Sequence, residues 1–252
     1  MSQAPASFAM NAVARLRDQR EEEGIKPIQA RGWRAARCRD CRVIESHCLC
    51  AWRPQVETRS GVCLIMTNKE VFKPSNTGWL IADVVPDNHA FIWSRTEVDP
   101  RLLALLSDPQ WQPYLVFPGE YVEPERVTNS VDLESSKRPL FILLDATWTE
   151  ARKIFRKSPY FDGLPILSLL PEKLSRYRLR RSTRSEHLCT AEVAALCLDL
   201  AGDTQAASAL DAYFDVFSQH YLDAKHQLDM NVSTPAHTEL MPYIQSPLPA
   251  LE

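Results

Sequence analysis

Residues 139–160 read PLFILLDATWTEARKIFRKSPY, and the fold class turns on them. Leu140, Phe141, Ile142, Leu143 and Leu144 make a short continuous apolar run, the length and bulk of a buried strand. The run stops at Asp145. Ala146, Thr147 and Trp148 then turn the chain into a basic helix that Thr147 or Thr149 can cap. Glu150 stands in its first turn, and Arg152, Lys153, Arg156 and Lys157 lie on its outer faces. A carboxylate and an indole at the carboxyl end of a strand, beside a helix start, occupy the favoured ligand crevice of an open α/β sheet. The same residues also fit a plainer role, with Asp145 capping the helix and Trp148 filling the core.

Working outward, residues 61–66 (GVCLIM) read as another core strand, with Cys63 a small apolar packing residue. Further strands are expected at 90–94, 113–117 and 165–170, and helices at 99–107, 187–201 and 205–225. The last helix has Leu210, Tyr213, Phe214 and Phe217 as its apolar stripe, while Cys189 and Cys197 fit the preceding one as core thiols. Residues 122–137 are polar and irregular. Two sites lie at element junctions. Ser75, Asn76 and Thr77 are cap-type residues before the helix pattern at Trp79, where free amides and hydroxyls suit an anion such as a carboxylate. Pro118, Gly119 and Glu120 follow a strand, where glycine permits close backbone approach and a glutamate can meet an amine or a hydroxyl. Plain capping and a surface turn explain the same residues.

The 252 residues, 45% hydrophobic and 24% charged, suit one soluble domain with an appendage. No apolar run spans a membrane, and the first residues lack a secretory signal, so a cytoplasmic protein is expected. Seven glycines leave no dinucleotide or phosphate loop. The net charge of −3 hides a segregation: between Arg152 and Arg184 stand ten Lys/Arg against Asp162 and Glu172. That tract, including Arg176, Arg178, Arg180, Arg181 and Arg184, suits a polyanionic partner.

Cys38, Cys41, Cys48 and Cys50 form a C-x2-C-x6-C-x-C cluster. Four thiolates so spaced can close a tetrahedral structural zinc site with no open position, iron being the other metal of such a set. His47 either replaces one ligand or points to solvent. The arginines around it (Arg31, Arg34, Arg37, Arg39, Arg42 and Arg53) make the knuckle a candidate nucleic-acid contact. The expected divisions are an extension at 1–30, with a short helix over 12–23 or a frayed segment there, a zinc knuckle at 31–55, an α/β catalytic domain at 56–232, and a tail at 233–252 that lies on the surface or is disordered.

In combination and order these residues resemble the DTW-domain family, the tRNA-uridine aminocarboxypropyltransferases. Asp145, Thr147 and Trp148 carry its D-x-T-W motif. The cysteine cluster, Ser75-Asn76-Thr77, Pro118-Gly119-Glu120 and the run from Leu188 through Thr190 to Glu192 match in turn. The resemblance implies a SPOUT-like, knotted Rossmann-like α/β sheet with flanking helices, S-adenosylmethionine as small-molecule donor and tRNA as acceptor. It also implies transfer of a 3-amino-3-carboxypropyl group to N3 of a uridine, in the variable loop for bacterial members. The donor would lie among Ser75, Asn76, Thr77, Pro118, Gly119, Glu120, Asp145, Thr147, Leu188 and Thr190. Asp145 is then the candidate base, its carboxyl made a better match by packing against Trp148, which stacks on a flipped base. Methyl transfer to RNA on the same scaffold, a non-enzymatic zinc-knuckle RNA-binding protein, and ribosomal RNA as substrate are the competing readings.

Overall fold

The computed structural model describes residues 10–26, 34–169 and 188–244. Its centre is a six-stranded, all-parallel sheet in the order β2-β1-β5-β3-β6-β4. The strands are β1 (Gly61–Met66), β2 (Asn88–Ile92), β3 (Trp111–Val116), β4 (Val127–Thr128), β5 (Arg138–Asp145) and β6 (Ile166–Leu167). In β5, Leu140 to Leu143 are at most 2% exposed, as expected for a strand covered on both faces. It pairs with β1 on one side and β3 on the other, with Met66 opposite Asp145.

Side chains along β1 and β5 alternate between two apolar clusters. Val62, Leu64, Met66 and Leu143 join the cluster built by α1 (Ala12–Glu22), α3 (Gly78–Val84), α6 (Thr190–Leu200) and α7 (Thr204–His226). Cys63, Ile65, Leu140 and Ile142 join the one under α4 (Pro100–Ser107) and α5 (Trp148–Arg156). The period of two along each strand therefore sorts the helices onto opposite faces. The expected strands and helices are present, shifted by a few residues at their ends. Leu170, the expected end of the sixth strand, lies outside the described residues.

Three elements were not legible. A short helix, α2 (Asn68–Phe72), follows β1, and β4 is a two-residue strand within the polar excursion. The third is α8 (Pro235–Leu240), in the region read as a surface tail. Pro235 sits in its first turn, where a missing N–H costs nothing. Leu240 and His237 are buried, and Tyr243 accepts a hydrogen bond from the Gln55 amide at 2.8 Å. Nor is the amino-terminal helix detached. Asn11 caps α1 and also donates to Asp83 on α3, which the Arg53 guanidinium (3.1 Å) and the Tyr213 hydroxyl (3.0 Å) hold as well.

α8 is tied in by a buried histidine pair, His220 and His237, whose Nε2 atoms are 2.9 Å apart. Burial pushes both imidazoles below their usual range, His237 to about 4 with His220 adding to the effect and Asp223 opposing it. The unfolded chain binds that proton near 6.5 and the folded chain only near 4. Between those values the unfolded state holds more protons, so stability is full above pH 7 and falls as the pH drops through the window. The melting temperature is expected to follow, and a His237→Phe variant to flatten the decline. An equally steep decline in the variant would remove the pair as its cause.

Candidate active site and metal centre

Because every strand runs the same way, the ends of β1, β3, β5 and β6 share one edge of the sheet. β5, inserted between β1 and β3, delivers Asp145 to the middle of that edge. The carboxylate is 0% exposed. Asn76 Nδ2 donates to its Oδ2 and Thr190 Oγ1 to its Oδ1, each at 2.7 Å. Asn76 in turn accepts from the Gly78 amide at 2.8 Å and donates to Glu70 at 3.4 Å, and Glu70 is ion-paired with Lys73. A second tie joins the same elements, the Ala191 amide donating to Thr77 Oγ1 at 3.3 Å. Asn76 and Thr77 are 2% and 0% exposed, so their side chains brace Asp145 and α6, whereas Ser75 is half-buried.

Gly78 is required by this packing. A Cβ there would lie 2.4 Å from Asp145 Oδ2. Gly78→Ala is expected to displace the carboxylate and to cost about 1–3 kcal/mol. A melting curve matching the unmodified protein would show that Asp145 has room to spare.

Trp148 does not share this environment. Three residues beyond Asp145, it opens α5 on the other face of the sheet, stacked on Phe117 (5.6 Å, 14°) and edge-on to Tyr121 (5.7 Å). The carboxylate and indole expected in one crevice thus serve opposite faces, because Asp145 occupies the strand register of Leu143. Thr147, not Thr149, caps α5 through a reciprocal capping box with Glu150. At the end of β3, Pro118 and Gly119 are half-buried and Glu120 is exposed; the Gly119 amide donates to Ser168 beyond β6 at 3.0 Å. Leu188 is half-buried beside Cys189, whose amide donates to Glu192 at 2.8 Å. Burial pushes the Cys189 thiol up to about 12, and Cys63 and Cys197 are fully buried, as read from sequence. Two open depressions, between α1 and α4 and between α7 and α8, are lined by none of these residues.

Of the basic residues, Arg152, Lys153, Arg156 and Lys157 are exposed on α5. Arg176, Arg178, Arg180, Arg181 and Arg184 lie outside the described residues, as does Arg31. Sequence reasoning missed Glu70, Tyr121, Phe117 and Trp93. Glu70 had one signal, an acid among the apolar residues Val71 and Phe72, all three buried on α2.

The sulfur atoms of Cys38, Cys41, Cys48 and Cys50 all lie within 4.8 Å of one another. A tetrahedron with Zn–S bonds of about 2.3 Å has edges of roughly 3.8 Å. The Cys38–Cys50 and Cys41–Cys48 separations of 3.5 and 3.9 Å bracket that edge and are far too long for disulfides. The Leu49 amide donates to Cys41 Sγ at 3.4 Å, a contact that favours the thiolate. The donor set therefore fits a metal such as zinc. His47 neither joins it nor faces solvent; it is buried, with Nε2 donating to the Leu228 carbonyl at 3.1 Å. Several nearby arginines are engaged internally: Arg53 with Asp83, Arg37 with the Arg42 carbonyl and Arg39 with Asp18.

No helix among the described residues is long and apolar enough to cross a membrane, and no solved structure matches the chain. The sequence profile of the DTW domain matches residues 35–222, from the cysteine cluster to the end of the α7 core. The chain thus belongs to the DTW-domain family, the tRNA-uridine aminocarboxypropyltransferases, a family of tRNA-modifying transferases.

Proposed function

We propose that the chain moves a 3-amino-3-carboxypropyl group from S-adenosylmethionine to N3 of a tRNA uridine, with the variable loop as its target. Family membership carries this reading. It is supported by a buried, oriented carboxylate at the carboxyl edge of a parallel sheet, where such folds take their ligands. The donor supplies an electrophilic carbon next to a sulfonium, and the acids and hydroxyls at this edge are of the kinds that an amino-acid arm needs. Glu120 takes its ammonium; Ser75 and the strand-end backbone take its carboxylate. Asp145, held by Asn76 and Thr190, accepts the N3 proton as the new C–N bond forms and the C–S bond breaks. Orientation matters because three carbons on the sulfonium are open to attack, and only positioning selects among them. Arg152, Lys153, Arg156 and Lys157 bind tRNA phosphates, joined by the arginines of residues 176–184. The SPOUT-like knotted winding belongs to the same proposal, with the all-parallel sheet and inserted β5 compatible with it.

Incubation with unmodified tRNA and donor, followed by mass spectrometry of the nucleosides, tests the reading. A uridine carrying the aminocarboxypropyl mass supports it; a methylated nucleoside, or none, overturns it.

A further inference from the structure

The four cations on α5 have an unusual setting. All four are exposed, and among the described residues none is ion-paired with a carboxylate. Two rest over aromatic rings instead. The Arg152 guanidinium lies 5.0 Å from the Tyr121 centroid, and Lys153 Nζ lies 5.6 Å from that of Trp93. Both rings are half-buried and braced from behind. Tyr121 meets Trp148, which stacks on Phe117, which stacks on Phe155 at 4.4 Å and 6°. Trp93 is pinned by its Nε1 donating to Ser158 at 2.9 Å. Trp93 follows β2 and Tyr121 follows β3, so the rings flank α5 at the same sheet edge as Asp145.

A solvated helix face needs charge but not rings, and a core needs rings but not unpaired charge. Rigid aromatic faces alternating with unneutralised cations match a ligand that has both π-faces and regularly spaced negative charge. Unpaired RNA has both, whereas a duplex hides its base faces and offers only phosphates.

We propose that Tyr121 and Trp93 are stacking stations for unpaired nucleotides flanking the modified uridine. The bases displace Arg152 and Lys153 from the ring faces, and these cations move to the neighbouring phosphates. This deepens the tRNA reading above and rests on it. It defines the acceptor as a splayed, single-stranded segment held on both sides of α5.

The test measures binding of the full, metal-loaded chain to a uridine-rich oligoribonucleotide, alone and annealed to its complement, without donor. The single strand is expected to bind more tightly than the duplex and to quench tryptophan fluorescence. Tyr121→Leu and Trp93→Leu are each expected to weaken single-strand binding about 5- to 100-fold with the salt dependence unchanged. Arg152→Ala and Lys153→Ala are expected to flatten that dependence. Tyr121→Phe, which keeps the ring, is expected to bind like the unmodified chain and guards against a leucine variant that misfolds. Equal binding by the leucine variants, or a duplex bound as tightly as the strand, overturns the proposal. Because binding needs no turnover, ring-dependent binding without aminocarboxypropyl transfer would sink the proposed reaction and leave only the single-strand stacking face standing.

Discussion

Asparagine at position 145 is expected to leave the chain folded and to reduce transfer to tRNA by about 100- to 10,000-fold, the usual contribution of a general base. The fold survives because asparagine is nearly isosteric. Its carbonyl oxygen can keep the bond from Asn76, and the Thr190 hydroxyl can turn to accept from the new amide. What is lost is the group able to take a proton. Asp145→Ala serves as the contrast, since it strands two buried donors at about 1–3 kcal/mol each and lowers the melting temperature as well. Single-turnover transfer and thermal melting, measured together, separate chemistry from stability. Asparagine activity within about tenfold of the unmodified protein would make Asp145 an anchor, not a base.

Stripping the metal is expected to have the largest structural effect. Elemental analysis should find one bound ion per chain. Its removal by a chelator, or by Cys41→Ser, should undo the segment from Cys38 to Trp52. That segment has little regular structure beyond two single helical turns and one isolated bridge, yet it contributes Val43, Leu49 and Trp52 to the main core. Zinc bound by short cysteine sites contributes on the order of 10–16 kcal/mol, comparable with the whole stability of a typical domain. Cys63→Ser, in the sheet away from the cluster, controls for loss of a thiol. A metal-free protein melting at the unchanged temperature would refute this role.

The fold was legible wherever burial leaves a repeating signature. The runs at Gly61–Met66 and Arg138–Asp145 are covered on both faces, so uninterrupted apolar residues announce them. The Leu210, Tyr213 and Phe217 stripe likewise marks α7. β4 escaped because two residues carry no period, and α8 because Pro235 signals a helix start as readily as a loop. At the site, the identities of Asp145, Asn76 and Thr190 were legible but their mutual contacts were not. Those pairs are 69 and 45 residues apart, and no local pattern encodes which side chains a sheet edge brings together. The separation of Trp148 from Asp145 was implicit in the strand's alternation. Two residues of turn before α5 broke that register, so adjacency in sequence misled.

The contacts that cover the metal knuckle have a consequence for biosynthesis. His47 binds the Leu228 carbonyl, and its own carbonyl receives His220, across separations of 181 and 173 residues. A ribosome therefore releases the knuckle more than 170 residues ahead of its cover. While those intervening residues are made, the nascent chain carries a metal-binding element whose apolar side, including Leu49 and Trp52, has no lid. A message truncated ahead of α7 would yield a protein that still captures the ion yet displays that greasy flank to quality-control proteases.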